Sequence, residues 1–155
     1  MDVLLDESDF AALAYAYLKR VHGDGLVHAE VFFDPQAHTG RGLALDVVVQ
    51  GLKKGLARGE REFGISTELI MCFVKHLSVE SAQQAVVEMQ PYVASGDVIG
   101  LGADSSEKDN PRACTSPSFR PPSFDALLTS LLALLLQRPS SPRCTRRRAK
   151  SASRG

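Results

Sequence analysis

Val27-His28-Ala29-Glu30-Val31-Phe32-Phe33-Asp34-Pro35-Gln36-Ala37-His38-Thr39 decides the fold. Its first half belongs to a run of strand formers, Leu26 to Phe33, that passes without a break into a polar loop. Alternation within the run is partial. Val27, Ala29, Val31 and Phe33 fall on one face and Phe32 on the other, which suits a strand covered on both sides. Two more runs end the same way: Thr67 to Val74 leads into Lys75-His76, and Val98 to Gly102 leads into Ala103-Asp104-Ser105-Ser106-Glu107. Helical stretches separate the three, so the chain repeats the strand-then-helix unit of a parallel α/β protein. In such folds chemistry collects at the carboxyl ends of the strands.

The helices are read from period and punctuation. Residues 8–21 place Phe10, Leu13, Ala14, Tyr17, Leu18 and Val21 on one face, with Ser8 as the expected N-cap, and His22-Gly23-Asp24-Gly25 stops the run. The next helix, from about Gly42 to Glu62, turns Leu45, Val48, Leu52 and Leu56 inward and Lys53, Lys54, Arg58 and Arg61 outward, and Gly64 ends it. A third, Val79 to Val93, has Ser78 as N-cap and buries Ala82, Ala85, Val86 and Met89, and Ser95-Gly96 breaks it. The two glycines of the third strand would let backbone or a ligand come close.

The formal charge of zero hides a division. Up to Pro111 there are 17 acidic and 9 basic residues, whereas residues 112–155 hold one acid, Asp125, against 9 basic residues. Six of the eight prolines lie at or beyond Pro111. The expected organisation is therefore an α/β segment over residues 1–111 and a basic, Pro/Ser/Arg-rich, disordered tail over 112–155. Cys72, Cys114 and Cys144 are far apart with no paired spacing, which speaks against a disulfide framework and a cysteine zinc site. No secretory pattern opens the chain, so a cytoplasmic location is expected, with the nucleus as the alternative through the basic tail. The longest apolar stretch, Phe124 to Leu136, is interrupted by Asp125, Thr129 and Ser130 and is shorter than the roughly 20 residues of a membrane span, so no membrane role is expected.

Several blocks, taken in order, resemble one family, the adenosine and adenine deaminases of the metal-dependent amidohydrolase barrel, and most closely the fungal-type adenine deaminases. They are Asp9-Phe10 with Ala14-Tyr15-Ala16-Tyr17-Leu18-Lys19-Arg20, Val27 to Thr39, Cys72-Phe73-Val74-Lys75-His76-Leu77, and Val98 to Glu107 followed by Asn110-Pro111. Lys75 stands where the family usually has Arg, and Ala103 replaces the Leu of its Gly-Leu-Asp-Ser-Ser-Glu pattern. The resemblance implies a partial (β/α)8 TIM barrel carrying the family's strands two to four. It also implies hydrolytic removal of the 6-amino group of adenine, giving hypoxanthine in purine salvage, by a zinc-activated water with a glutamate moving the proton.

The family's zinc ligands lie in a His-x-His on the first barrel strand, a His-Ala-Gly-Glu block on the fifth and an Asp on the last. His22, His28, His38 and His76 form neither histidine motif. Zinc is thus a cofactor of the complete enzyme, and this chain is expected to bind none tightly and to be inactive alone. The zinc deaminase signature of the other fold, His-x-Glu with Pro-Cys-x-x-Cys, is absent too. A barrel of this kind takes about 250 residues, so three strands leave an open sheet whose edges invite self-association. If Cys144 to Ala149 is encoded TGC ACA CGC CGG CGA GCG, the frame one base along reads Ala-His-Ala-Gly-Glu. This is consistent with an out-of-frame or intron-derived origin for residues 112–155, the reading preferred here over a functional basic arm.

Site candidates follow from the strand ends. Asp104, Ser105, Ser106 and Glu107 form the most polar ending and are expected nearest the purine, although a turn and a helix cap explain them equally well. Asp34, Gln36, His38, Lys75 and His76 are expected to support the site from behind, with an ordinary loop as the competing reading for the first three. His28 reads as a structural histidine. Two alternatives stay open: an adenosine deaminase-type fragment, and a non-enzymatic interaction protein that uses its sheet edge or basic tail. The tail lacks interleaved aromatics, so any nucleic-acid contact would be weak and electrostatic.

Overall fold

A computed structural model of the chain describes residues 3–106. Glu107, the tail and the apolar stretch Phe124 to Leu136 lie outside the described residues. The elements, in chain order, are α1 (Glu7–His22), β1 (His28–Phe33), α2 (Gln36–Thr39), α3 (Leu45–Phe63), β2 (Ser66–Val74), α4 (Val79–Ser95) and β3 (Gly100–Asp104). The three strands form one sheet in the order β1-β2-β3, and both pairs are parallel. Three parallel strands with intervening helices are what the sequence predicts.

Asp6, not Ser8, caps α1. Its carboxylate accepts from the amides of Ser8 and Asp9 while Asp9 reaches back to the Asp6 amide, a reciprocal capping box. Ser8 is drawn into the same cap, its hydroxyl donating to Asp6 at 2.6 Å. Gly64 and Gly96 end α3 and α4 in the left-handed conformation, at φ of 71° and 86°. Ser78 caps α4 through the amide of Ser81, as expected. The segment after β1, expected as a loop, is instead the short helix α2, which opens on Pro35.

One face of the sheet is covered. Ala29, Phe33, Leu69 and Met71 bury themselves against Phe10, Ala14 and Leu18 of α1, Val48, Val49, Leu52 and Leu56 of α3, and Val86, Met89 and Val93 of α4. Helix α3 lies against α1 along three glycines, and a methyl group at Gly55 would sit 2.2 Å from the carbonyl oxygen of Ala11. The opposite face carries no element among the described residues. Phe32 is 61% exposed there, so β1 is covered on one side and not on both.

Candidate functional site

Parallel strands deliver their carboxyl ends to one edge of the sheet, and that edge gathers the polar groups. Asp34 follows β1, Cys72 lies near the end of β2, and Asp104 ends β3. One ligand atom from each lies within 4.8 Å of the other two. The register explains the meeting, because Cys72 pairs with Gly102 and Val74 with Asp104. A methyl at Gly102 would stand 2.5 Å from the Cys72 sulfur, so the glycine makes room for the thiol.

Asp34 is only partly reached by water, and its Oδ1 is buried without a hydrogen-bond partner among the described residues. Burial first, and the charge of Asp104 second, raise its carboxyl above the ordinary value of 3.8. The Cys72 thiol is pushed up to about 11 by burial and then by Asp34 and Asp104. It stays protonated at neutral pH and is a poor nucleophile.

The raised carboxyl makes a pH prediction. Between 3.8 and the higher folded value, the folded state keeps a proton that the unfolded state has lost. Stability contributed at this position therefore falls as pH rises through that window. Asp34→Asn is expected to be more stable than the parent at neutral pH, with the difference shrinking as pH falls below 3.8. Urea unfolding of both proteins across acidic to neutral pH checks this, and a variant that loses stability at neutral pH contradicts it.

Next to the acids, Ser105 holds φ at 88°, the one non-glycine residue with positive φ among the described residues. Its hydroxyl meets Nδ1 of His76 at 2.5 Å and its amide donates to the Asp104 carboxylate at 3.1 Å. The Lys75 amide donates to the Asp104 carbonyl at 3.0 Å, which ties the two strand ends together. A strained serine held by a neighbouring strand's histidine is the kind of backbone that a site retains against a cost of about 1–3 kcal/mol.

The expected site residues thus separate into two groups. Asp34, Asp104, Ser105 and His76 come together, with Ser106 just beyond and Lys75 joined through its backbone. Gln36 and His38 are turned to other work. Gln36 accepts from the Val74 amide and donates to the Ser81 hydroxyl, each at 2.7 Å. His38 packs edge-on against Phe10 with centroids 4.9 Å apart and has the Arg41 guanidinium 3.1 Å from Nδ1. Burial, then Arg41, lower its pKa. His28 is exposed and bonded to Ser66 at 2.7 Å. Cys72 is the member that the sequence did not place, because its neighbours come from other strands.

A groove of about 380 Å³ lies at the other end of the sheet, lined in part by Lys53, Glu60, Thr67 and Asp97. There Lys53 pairs with Asp97 at 2.6 Å, and Glu60 accepts from the Thr67 amide at 2.7 Å. The carboxyl ends remain the candidate site.

Three parallel strands in chain order, with covering helices on one face and polar groups at the carboxyl ends, are the arrangement of a segment of a (β/α) barrel. The adenosine deaminase family model matches residues 1–126. An adenine deaminase of Kluyveromyces lactis is 49% identical over 110 residues, which cover 71% of this chain and 31% of that protein. The crystal structure of an adenine deaminase from Arthrobacter aurescens superposes with a TM-score of 0.71 at 37% identity, covering 84% of this chain and 37% of the other. An amidohydrolase from Burkholderia ambifaria with bound zinc shares the fold, at a TM-score of 0.68 and 24% identity, over 84% of this chain and 33% of its own. The chain belongs to the adenosine deaminase family, and it spans about a third of the length of the relatives it matches.

Proposed function

We propose that this chain supplies three strands of an adenine-deaminating barrel, with Asp34, Asp104, Ser105 and His76 bordering the purine, and that deamination belongs to the complete barrel and not to this chain. The observation that carries the reading is the meeting of acid, hydroxyl and imidazole at the carboxyl ends of three parallel strands, in a chain whose relatives are named adenine deaminases. The Asp34 and Asp104 carboxyl oxygens can accept hydrogen bonds, and the Ser105 hydroxyl can donate or accept one. The set suits the alternating donors and acceptors of a purine edge.

The residues present do not fit the metal that the family resemblance implies. Among the described residues, Asp34, Cys72 and Asp104 are the three metal-ligating side chains that lie together, and none is a histidine. Nothing in the reading runs through a metal held by this chain.

Two assays test it. The isolated chain, supplied with zinc and adenine, is expected to release no ammonia above the blank, and zinc-dependent turnover would overturn the inactivity. Residues 1–106 placed in the matching segment of the Kluyveromyces lactis enzyme are expected to retain adenine turnover, which Asp104→Ala then lowers sharply. A folded chimera that turns over adenosine and not adenine would overturn the substrate assignment.

A further inference from the structure

The first strand has an edge without a partner. Among the described residues β1 pairs with β2 alone, through the parallel register that sets His28 against Ser66. The Ser66 amide donates to the Val27 carbonyl at 3.1 Å, so the backbone groups of Val27, Ala29, Val31 and Phe33 turn toward β2. Those of His28, Glu30 and Phe32 alternate with them and turn outward, a row of donors and acceptors open to another strand.

Apolar surface flanks that row. Val27 is 76% exposed and Phe32 61%. Above the sheet, α1 ends the helix layer on the β1 side, because it packs on α3 whereas α4 joins β2 to β3. Ala11 and Tyr15 of α1 meet α3, at Gly55 and Glu62, and half a helical turn away Leu13 and Tyr17 are exposed. Their helical spacing is that of a core face, yet no described element covers them.

The edge is complementary to itself. A two-fold axis through Ala29, perpendicular to the sheet, sets a second β1 antiparallel to the first, with His28 opposite Glu30, Val27 opposite Val31 and Leu26 opposite Phe32. Each Glu30 then lies between two imidazoles, its own His28 at 3.9 Å and that of the other copy. An axis at Glu30 would instead bring two carboxylates face to face, which is unfavourable, and an axis at Val31 would leave Val27 outside the pairing. The axis at Ala29 keeps both helix layers on one side of the sheet and turns Leu13 and Tyr17 of the two copies toward each other. An isologous contact of this kind closes at two copies.

We propose that this chain pairs with a second copy through β1, edge to edge and antiparallel, in a six-stranded sheet centred on Ala29. Burial of Leu13, Tyr17, Val27 and Phe32 drives the association, and the two pairs of His28 with Glu30 fix its register. A barrel must take a further strand at this edge, so self-pairing and completion of the barrel exclude each other.

Sedimentation of the full chain is expected to show a dimer that dissociates on dilution. His28→Glu sets carboxylate against carboxylate twice across the edge and is expected to raise the dissociation constant at least about tenfold. Adding Glu30→His to it is expected to restore the parent's value. Oxidation in a Cys114→Ser, Cys144→Ser background reads the register. Ala29→Cys faces its own copy at about 4.5 Å between Cα atoms, within disulfide reach, and is expected to give a covalent dimer. Val31→Cys faces Val27 and is expected to give none. A chain that is monomeric at every concentration overturns the proposal. So does a His28→Glu loss that the second substitution leaves unchanged, an assembly that grows beyond two copies, or cross-linking at position 31 in preference to 29.

Discussion

Gly55→Ala is expected to destabilise the chain by about 3 kcal/mol, the upper end of what overpacking costs. In helix interiors alanine is the better residue by about 1 kcal/mol, so Gly51, Gly55 and Gly59 in α3 run against local preference. The contact with α1 is what they permit. The added methyl at Gly55 would meet the Ala11 carbonyl oxygen at 2.2 Å and the Ala14 side chain at 2.8 Å. Backbone cannot swing aside as a side chain can, so the helices must part, and the burial of Ala14, Leu18, Leu52 and Leu56 suffers with them. Gly51→Ala meets the Glu7 carbonyl oxygen at 2.6 Å and is expected to be nearly as costly. Gly59→Ala meets first the flexible tip of Leu18, at 2.5 Å, and is expected to cost about 1 kcal/mol. Gly23→Ala is the control, since its φ is −62° and its nearest neighbour is 3.7 Å away. Denaturant unfolding of the four variants, followed by helical circular dichroism, should rank them Gly55, Gly51, Gly59, Gly23. A Gly55→Ala protein as stable as the parent would mean that α1 and α3 do not touch at their backbones.

That helix contact shows where reading from sequence stops. Hydrophobic period located α3 and turned Val48, Leu52 and Leu56 inward, yet glycine has no hydropathy, so the stripe that meets α1 carried no signal. Strand ends were legible because β1, β2 and β3 each pass from apolar to polar residues. Which polar residues meet was not, since Cys72 joins Asp34 and Asp104 through a parallel register that crossover helices set over many residues. Gly64 and Gly96 were read correctly because the left-handed conformation at a helix end suits glycine above other residues. Helix α2 escaped because four residues are too few to show a period. The cap of α1 moved to Asp6 because Asp and Ser are equally good caps, and only the reciprocal bond with Asp9 decides between them. Phe32 was expected under cover because aromatic residues usually find it, and the described part of this chain brings nothing to its side of the sheet.

Gln36 carries the second large effect, and it falls on the geometry of the site and not on its chemistry. One amide group spans three elements: its oxygen accepts from Val74 at the end of β2 and its nitrogen donates to Ser81 in the first turn of α4, while its backbone opens α2. Lys75 and His76 follow Val74 directly, so the clamp fixes the strand end from which His76 reaches Ser105. Gln36→Leu keeps the bulk and removes both bonds. A part-buried amide and a hydroxyl lose their partners, at a cost of about 2 kcal/mol. Exchange of the Val74 amide is expected to quicken about thirtyfold, the factor that this energy sets. Gln36→Glu separates the bond from the shape: a carboxylate still accepts from Val74, and the Ser81 hydroxyl can turn to donate to it, so the loss should be less than half as large. His76 should report the same order, because a strand end free to move no longer holds its imidazole on Ser105, and the ring's NMR resonances then move to those of a Ser105→Ala protein. If Gln36→Leu left the Val74 amide as slow as in the parent and the His76 ring resonances unmoved, the clamp would be idle, and the strand ends would owe their placement to the sheet alone.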